Sequence, residues 1–183
     1  MPRFGRSRWR EHGAVANWPD FRPTALLRVL IEHGVDFVVV GGVAMSAHGS
    51  ARFTNDLDVC YATDQANLEA LGAAMLALGA RLRGVGDDVP FVPDAQTLRR
   101  TSILTLESPE GNIDLLVGPA GAPATYARLR ERAERVIMDD AAFLIASLDD
   151  LESMKRAAGR PKDQVDLEEI EVIRRLRRQL GTT

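Results

Sequence analysis

The sequence predicts a mixed α/β (α+β) fold that ends in a helical segment, and three observations predict it. Short β-branched runs alternate with amphipathic stretches through the first two thirds of the 183 residues. Gly and Pro punctuate the joints between them. From Ser147 onward only helical patterning remains. Hydrophobic residues at 45% and charged residues at 27% are globular proportions, and the length allows one core of ordinary size.

Each element has a local cause. Residues 1–22 form a basic leader carrying Arg3, Arg6, Arg8 and Arg10, without a hydrophobic period, that packs only through Trp9, Trp18 or Phe21. Pro23 suits a first helical position, Leu26, Leu27, Leu30 and Ile31 make a stripe, and Gly34 suits the stop. The branched run Asp36 to Val40, bounded by Gly41-Gly42, reads as a buried strand, and a brief helix from Val43 to His48 follows. Asp56 to Tyr61 is a second strand. Asp64 caps a helix with Leu68, Leu71, Met75 and Leu78 at helical spacing and Gly79 at its stop. Ser102 to Glu107 and Asn112 to Val117 flank the turn Ser108-Pro109-Glu110-Gly111, which predicts a hairpin, and Arg135 to Met138 with Ala141 to Ile145 predict another around Asp139-Asp140. Ser147, with Asp150 three residues on, opens a helix; Gly159-Arg160-Pro161 breaks the run; and a last helix reaches about Leu180 with Leu167, Ile170, Ile173, Leu176 and Leu180 on one stripe. Three parts are expected: the leader, a core over 23–119, and a hairpin with helices over 120–183 packed on that core.

Net charge is -3, so the whole molecule lacks the strong positive balance of a general nucleic-acid binder. Basic residues crowd the leader and the end (Arg174, Arg175, Arg177, Arg178), where a solvated tail or helix face is the plain reading. One cysteine, Cys60, cannot make an internal disulfide and reads as a small buried hydrophobe. The start lacks the apolar stretch of a secretory signal, and no segment approaches the roughly 20 apolar residues of a membrane span, so a cytoplasmic protein with no membrane partner is expected.

Chemistry concentrates in acidic residues on strands. Asp56 and Asp58, two apart, project from one face about 7 Å apart, with Leu57 and Val59 turned to the core. Two such carboxylates repel unless a cation lies between them. Oxygen-only donors favour Mg2+ or Mn2+, and His12, His33 and His48 offer no zinc spacing. Asp114 stands alone in the apolar strand Ile113 to Val117, where burial is costly without a partner. Three carboxylates on neighbouring strands can hold two ions that stabilise the attacking and leaving oxygens of a phosphoryl displacement. Gly41-Gly42 opens a short helix whose unhindered amides suit nucleotide phosphates, although a Gly-Gly pair after a strand is also a common tight turn. Arg52 suits either a phosphate or a surface ion pair, Asp163 and Asp166 suit the start of the last helix, and His48 suits a structural role.

The stretch GGVAMSAHGSARFTNDLDV (41–59) with IDLLVG (113–118) resembles the DNA polymerase beta-like nucleotidyltransferase superfamily. More narrowly, HGSARFTNDLDV with SLDDLESMKRAAGRPKDQVDLEEI (147–170) resembles the bacterial AbiEii and MenT-type toxin nucleotidyltransferases, over about residues 24–175. The resemblance implies a nucleotidyltransferase core with a mixed sheet flanked by helices, Asp56 and Asp58 as metal ligands, Asp114 as third carboxylate and candidate base, Gly41, Gly42 and Lys155 at the triphosphate, and Mg2+ or Mn2+ as cofactor. Where many relatives have Ser, this chain has Gly42, so a hydroxyl contact to phosphate is absent. The implied activity is transfer of an NMP from an NTP to an acceptor hydroxyl. The acceptor is a tRNA 3′ end, as in toxin–antitoxin systems with a cognate antitoxin, or an aminoglycoside-like or lincosamide-like antibiotic. A protein side chain is a further option, and a catalytically silent nucleotide-binding module is the remaining alternative.

Overall fold

The computed structural model describes residues 21–85, 91–118 and 125–181; the expectations for the leader up to residue 20 lie outside these. Helix α1 (Pro23–Glu32) buries Leu26, Leu27 and Leu30. Strand β1 (Phe37–Val40) is buried along its whole length. Helix α2 (Gly41–Ala47) starts directly at the glycine pair, two residues before the expected Val43. Strand β2 (Asp56–Tyr61) alternates as its sequence requires, Leu57 and Val59 inward and Asp56 and Asp58 toward the opposite face. Helix α3 (Gln65–Ala77) is capped by Asp64, whose side chain accepts from the Asn67 amide.

Three elements were not expected. Strand β3 (Arg81–Leu82) is two residues long, α4 (Ala95–Arg100) is a single capped turn and a half behind Asp94, and α5 (Tyr126–Arg132) has one buried residue, Leu129. None is long enough to show a period. Strands β4 (Ile103–Ser108) and β5 (Gly111–Leu116) form the first hairpin, and β6 (Glu134–Met138) and β7 (Ala141–Ile145) the second. Helix α6 (Leu148–Ala158) begins at Ser147, whose hydroxyl accepts from the Asp150 amide. It ends at Gly159, with φ of 60°, and Pro161 starts α7 (Pro161–Leu180). Ile170 and Ile173 are buried, but Leu176 and Leu180 are 51% and 78% exposed, so the expected stripe meets the core only in its first half.

The seven strands among the described residues form one mixed sheet in the order β3-β4-β5-β2-β1-β7-β6. The β2/β5 and β1/β7 pairs are parallel, and the other strand pairs are antiparallel. Asp58 lies opposite Asp114 in the β2/β5 register, Asp114 opposite Thr105, and Arg83, just beyond β3, continues the row by donating its amide to the Thr105 carbonyl at 3.1 Å. Cross-strand partners share a face, so Arg83, Thr105, Asp114 and Asp58 form one row across the sheet. The opposite face carries Leu57, Val59, Leu106, Ile113 and Leu115, all fully buried.

Asn67 ties α3 to one end of the central β1/β2 pair. Its side chain accepts from the Asp36 amide at 2.6 Å and donates to the carbonyls of Asp36 at 3.1 Å and Ala62 at 2.7 Å. Asn67→Ala is expected to remove the side-chain partner of the Asp36 amide and the Ala62 carbonyl and to lower stability by about 1–3 kcal/mol in urea unfolding, whereas an exposed substitution such as Glu69→Ala is expected to change it little.

Candidate functional site

The three carboxylates meet on the open part of the sheet face. The Asp56 carboxylate accepts from the Thr54 hydroxyl at 2.8 Å. Burial pushes the Asp58 carboxyl up to about 7; the charges of Asp56 and Asp114 push the same way, and Lys155 and Lys162 oppose them. Burial also raises Asp114, against the charge and hydrogen bond of Arg83. One Arg83 guanidinium nitrogen donates to both Asp114 oxygens, at 2.7 and 3.1 Å. The glycine pair lies against this group. A Cβ on Gly41, whose φ is +62°, would sit 1.9 Å from Asp58 Oδ2, and one on Gly42 would sit 2.5 Å from Thr54 Oγ1.

Facing the carboxylates are cations fixed by α7. Lys155 Nζ lies 2.6 Å from Asp166 and 3.5 Å from Asp163, and its side chain is 13% exposed. Arg52 pairs with Asp166 and donates to the Lys162 carbonyl at 3.1 Å. Asp163 accepts from the Arg160 amide at 2.9 Å and from its guanidinium at 2.8 and 3.0 Å, and that guanidinium holds the Asp163 carboxyl down to about 2. One turn further, Glu169 accepts from the Ser50 hydroxyl at 2.7 Å and the Ala51 amide at 3.0 Å. Asp163 thus caps α7 as expected, and Asp166, expected to cap or flank the same helix start, does more than that. It is buried, with a cation on each oxygen.

These groups line one cleft of about 600 Å³, a volume ordinary for small-molecule sites. Its floor holds Gly41, Gly42, Asp56, Asp58 and Asp114, its wall Arg52, Lys155, Arg160 and Lys162, and its lip Phe53 and Ile103. All seven residues singled out from the sequence therefore meet: Asp56, Asp58, Asp114, Gly41, Gly42, Arg52 and Lys155. Arg83, Arg160 and Lys162 were not singled out for the site, and Asp166 was read only as belonging to the start of the last helix. The repeated basic and acidic residues of Arg160-Pro161-Lys162-Asp163 and Asp166 were the available signal for three of them, whereas Arg83 has none in its local sequence.

Among the described residues no three His, Cys, Asp or Glu side chains converge as a ready-made metal-binding group. Asp56 and Asp58 nevertheless suit a hard divalent cation. They offer oxygen donors alone, and the Asp58 carboxyl, raised by burial and then by the charges of Asp56 and Asp114, is one that a cation would help to ionise. Asp114 faces Arg83 instead. The basic C-terminal cluster is partly internal. Arg174 pairs with Asp149, Glu152 and Glu171, and Arg177 donates to His48 Nδ1 at 2.7 Å, while His48 Nε2 donates to the Ala146 carbonyl at 2.8 Å. His48 is thus structural, and buried Cys60 likewise packs in the core.

A family model described as "Nucleotidyl transferase AbiEii toxin, Type IV TA system" matches residues 24–170. The lincosamide antibiotic adenylyltransferase LnuA, in its lincomycin-bound crystal structure, is 13% identical with a TM-score of 0.54, over 82% of this chain and 94% of its own. The antibiotic-resistance factor ANT(2'')-Ia, in its solution structure, is 16% identical with a TM-score of 0.50, over 86% of this chain and 90% of its own. At such identities the likeness is one of fold. Among the curated proteins none matches.

The raised Asp58 carboxyl sets a pH dependence. Its folded value of about 7 lies above the roughly 4 of an unfolded Asp, so between these values the folded state binds the extra proton and loses stability as pH rises. Asp58→Asn removes the ionisable group. Metal-free Asp58→Asn is therefore expected to melt higher than the wild type at pH 8, with the difference shrinking toward pH 5. A difference that stays constant across this range would contradict the assignment.

Proposed function

Since the chain belongs to the AbiEii nucleotidyltransferase family, we propose that it is a metal-dependent enzyme that moves an NMP from an NTP to an acceptor hydroxyl and releases pyrophosphate. One arrangement carries this reading: a carboxylate pair backed by two glycines and faced across a cleft by four cationic side chains. Asp56 and Asp58 hold Mg2+ or Mn2+, which supplies neutralisation of the charge that develops on the transferring phosphoryl group. Gly41 and Gly42 let the triphosphate approach the backbone without a side chain between, and Lys155, Lys162, Arg160 and Arg52 hold its oxygens. Asp114, raised by burial, takes the proton of the attacking hydroxyl. Lys155 starts paired with Asp166, and the multiple charges of a triphosphate compete for it.

The acceptor we propose is RNA, at a tRNA 3′ end, with the chain as the toxin of a toxin–antitoxin pair. Phe53 is 86% and Ile103 51% exposed at the lip, and an exposed ring beside cations suits a stacked base and its phosphate. The carboxylates among the described lining residues, Asp56, Asp58, Asp114 and Asp166, lie in the floor or in ion pairs. A polycationic aminoglycoside therefore meets no free acid among the described lining residues. RNA contact runs through this lip rather than through the four C-terminal arginines, because Arg174 and Arg177 are engaged internally.

Asp56→Asn and Asp58→Asn are expected to abolish transfer while the fold persists, since an amide cannot replace an anionic ligand. Normal turnover in either would sink the metal reading. Lys155→Ala is expected to raise KM for NTP by about ten-fold or more. To identify the acceptor, labelled NTP would be offered with total tRNA, a lincosamide and an aminoglycoside. Label in tRNA that vanishes in Phe53→Ala supports the reading, and label only in an antibiotic overturns it.

A further inference from the structure

The third carboxylate is already engaged by a guanidinium. Arg83 reaches Asp114 along a single row of the sheet, from the end of a strand that among the described residues pairs only with β4. Both hydrogen bonds to Asp114 come from the same guanidinium nitrogen. This arrangement forgoes the two parallel bonds that make a forked arginine–carboxylate pair strong. The Arg83 side chain is 30% exposed, whereas Asp114 is 16% exposed, so the cation can leave toward water while the carboxylate stays in place. A carboxylate held in this way is a poor metal ligand and a poor base. Leaving it unpaired opposite Asp58 would add a buried repulsion.

We propose that Arg83 is a displaceable counter-cation for Asp114: it holds the third carboxylate while the site is empty and yields it when a divalent cation binds beside Asp58. Arg83 is thus a positioning residue acting through Asp114, and the inference rests on the metal reading above. It makes the availability of the third carboxylate depend on cation arrival, so that ligand and base are assembled only in the loaded site. The cost is that the metal must compete with the guanidinium, which weakens cation binding in the absence of nucleotide.

The test is Mn2+ titration of the full chain without nucleotide, followed by the electron paramagnetic resonance signal of free Mn2+. Arg83→Gln is expected to tighten Mn2+ binding on the order of ten-fold over wild type, the effect of removing a competing charge at a partly buried site. In an Asp114→Asn background the same substitution is expected to change binding less than about two-fold, because the competition acts through that carboxylate. Arg83→Lys, which keeps the charge and the length of chain needed for folding, is expected to give a smaller gain. Unchanged or weaker binding in both Arg83 variants overturns the proposal, and so does a gain that persists in full with Asp114→Asn. Equal Mn2+ affinity in wild type and Asp58→Asn would instead overturn the metal reading itself.

Discussion

The burial of Asp58 and Asp114, sharpened by their repulsion from each other and from Asp56, is the constraint that the surrounding structure answers. The parallel β2/β5 register sets Asp58 opposite Asp114, and the i, i+2 spacing sets Asp56 beside Asp58 on the same face. Unit charges about 5 Å apart repel by about 3 kcal/mol at an effective dielectric near 20, a large share of a domain's stability. Each neighbouring element supplies relief. The end of β3 brings Arg83 to Asp114, the loop before β2 brings the Thr54 hydroxyl to Asp56, and α6 and α7 bring Lys155 and Lys162 toward Asp58.

Helix α7 turns that relief into a fixed arrangement. Asp163, Asp166 and Glu169 recur every three residues and reach Arg160, Lys155, Arg52 and the backbone at Ala51. A lysine on a flexible stem at the edge of a cleft samples many directions. Pairing with a buried carboxylate fixes its head at the cost of part of its free charge. A ligand carrying several negative charges can still draw it away, so the pairing pre-orients the cation without cancelling it. The C-terminal helices are therefore part of the site as much as of the fold.

Much of this was legible in the sequence because the signals were local. Strand β2 runs from Asp56 to Tyr61 as expected, and both hairpins surround their expected turns. Asp64 and Ser147 cap the helices they were read to cap. What escaped was non-local or short. A six-residue α4 and a two-residue β3 have no period, and Arg83 becomes visible only through the register of three strands. Asp166 read only as a charge near a helix start because its partners, Arg52 and Lys155, lie 114 and 11 positions away. The α7 stripe was over-extended for a related reason, since periodicity marks an apolar face but not where the core ends.

The glycine pair explains why chemistry could be read further than substrate. From the sequence Gly41 and Gly42 suit phosphate, yet the structure supplies a prior reason for both. A Cβ at Gly41 would strike the Asp58 carboxylate, and a Cβ at Gly42 would strike the Thr54 side chain that orients Asp56. A serine at position 42, as in many relatives, would need Thr54 to move, so the departure at Gly42 and the presence of Thr54 form one packing solution. Glycine turn, carboxylate pair and strand register are thus mutually dependent, and such dependence leaves a fixed order of residues in the sequence. The lip is under no such constraint. Phe53 and Ile103 face solvent, and nothing in the core fixes their identity. The half of the site that the proposed function assigns to the cation and the phosphates is dictated by the fold, and the half it assigns to the acceptor is free to vary on top of it.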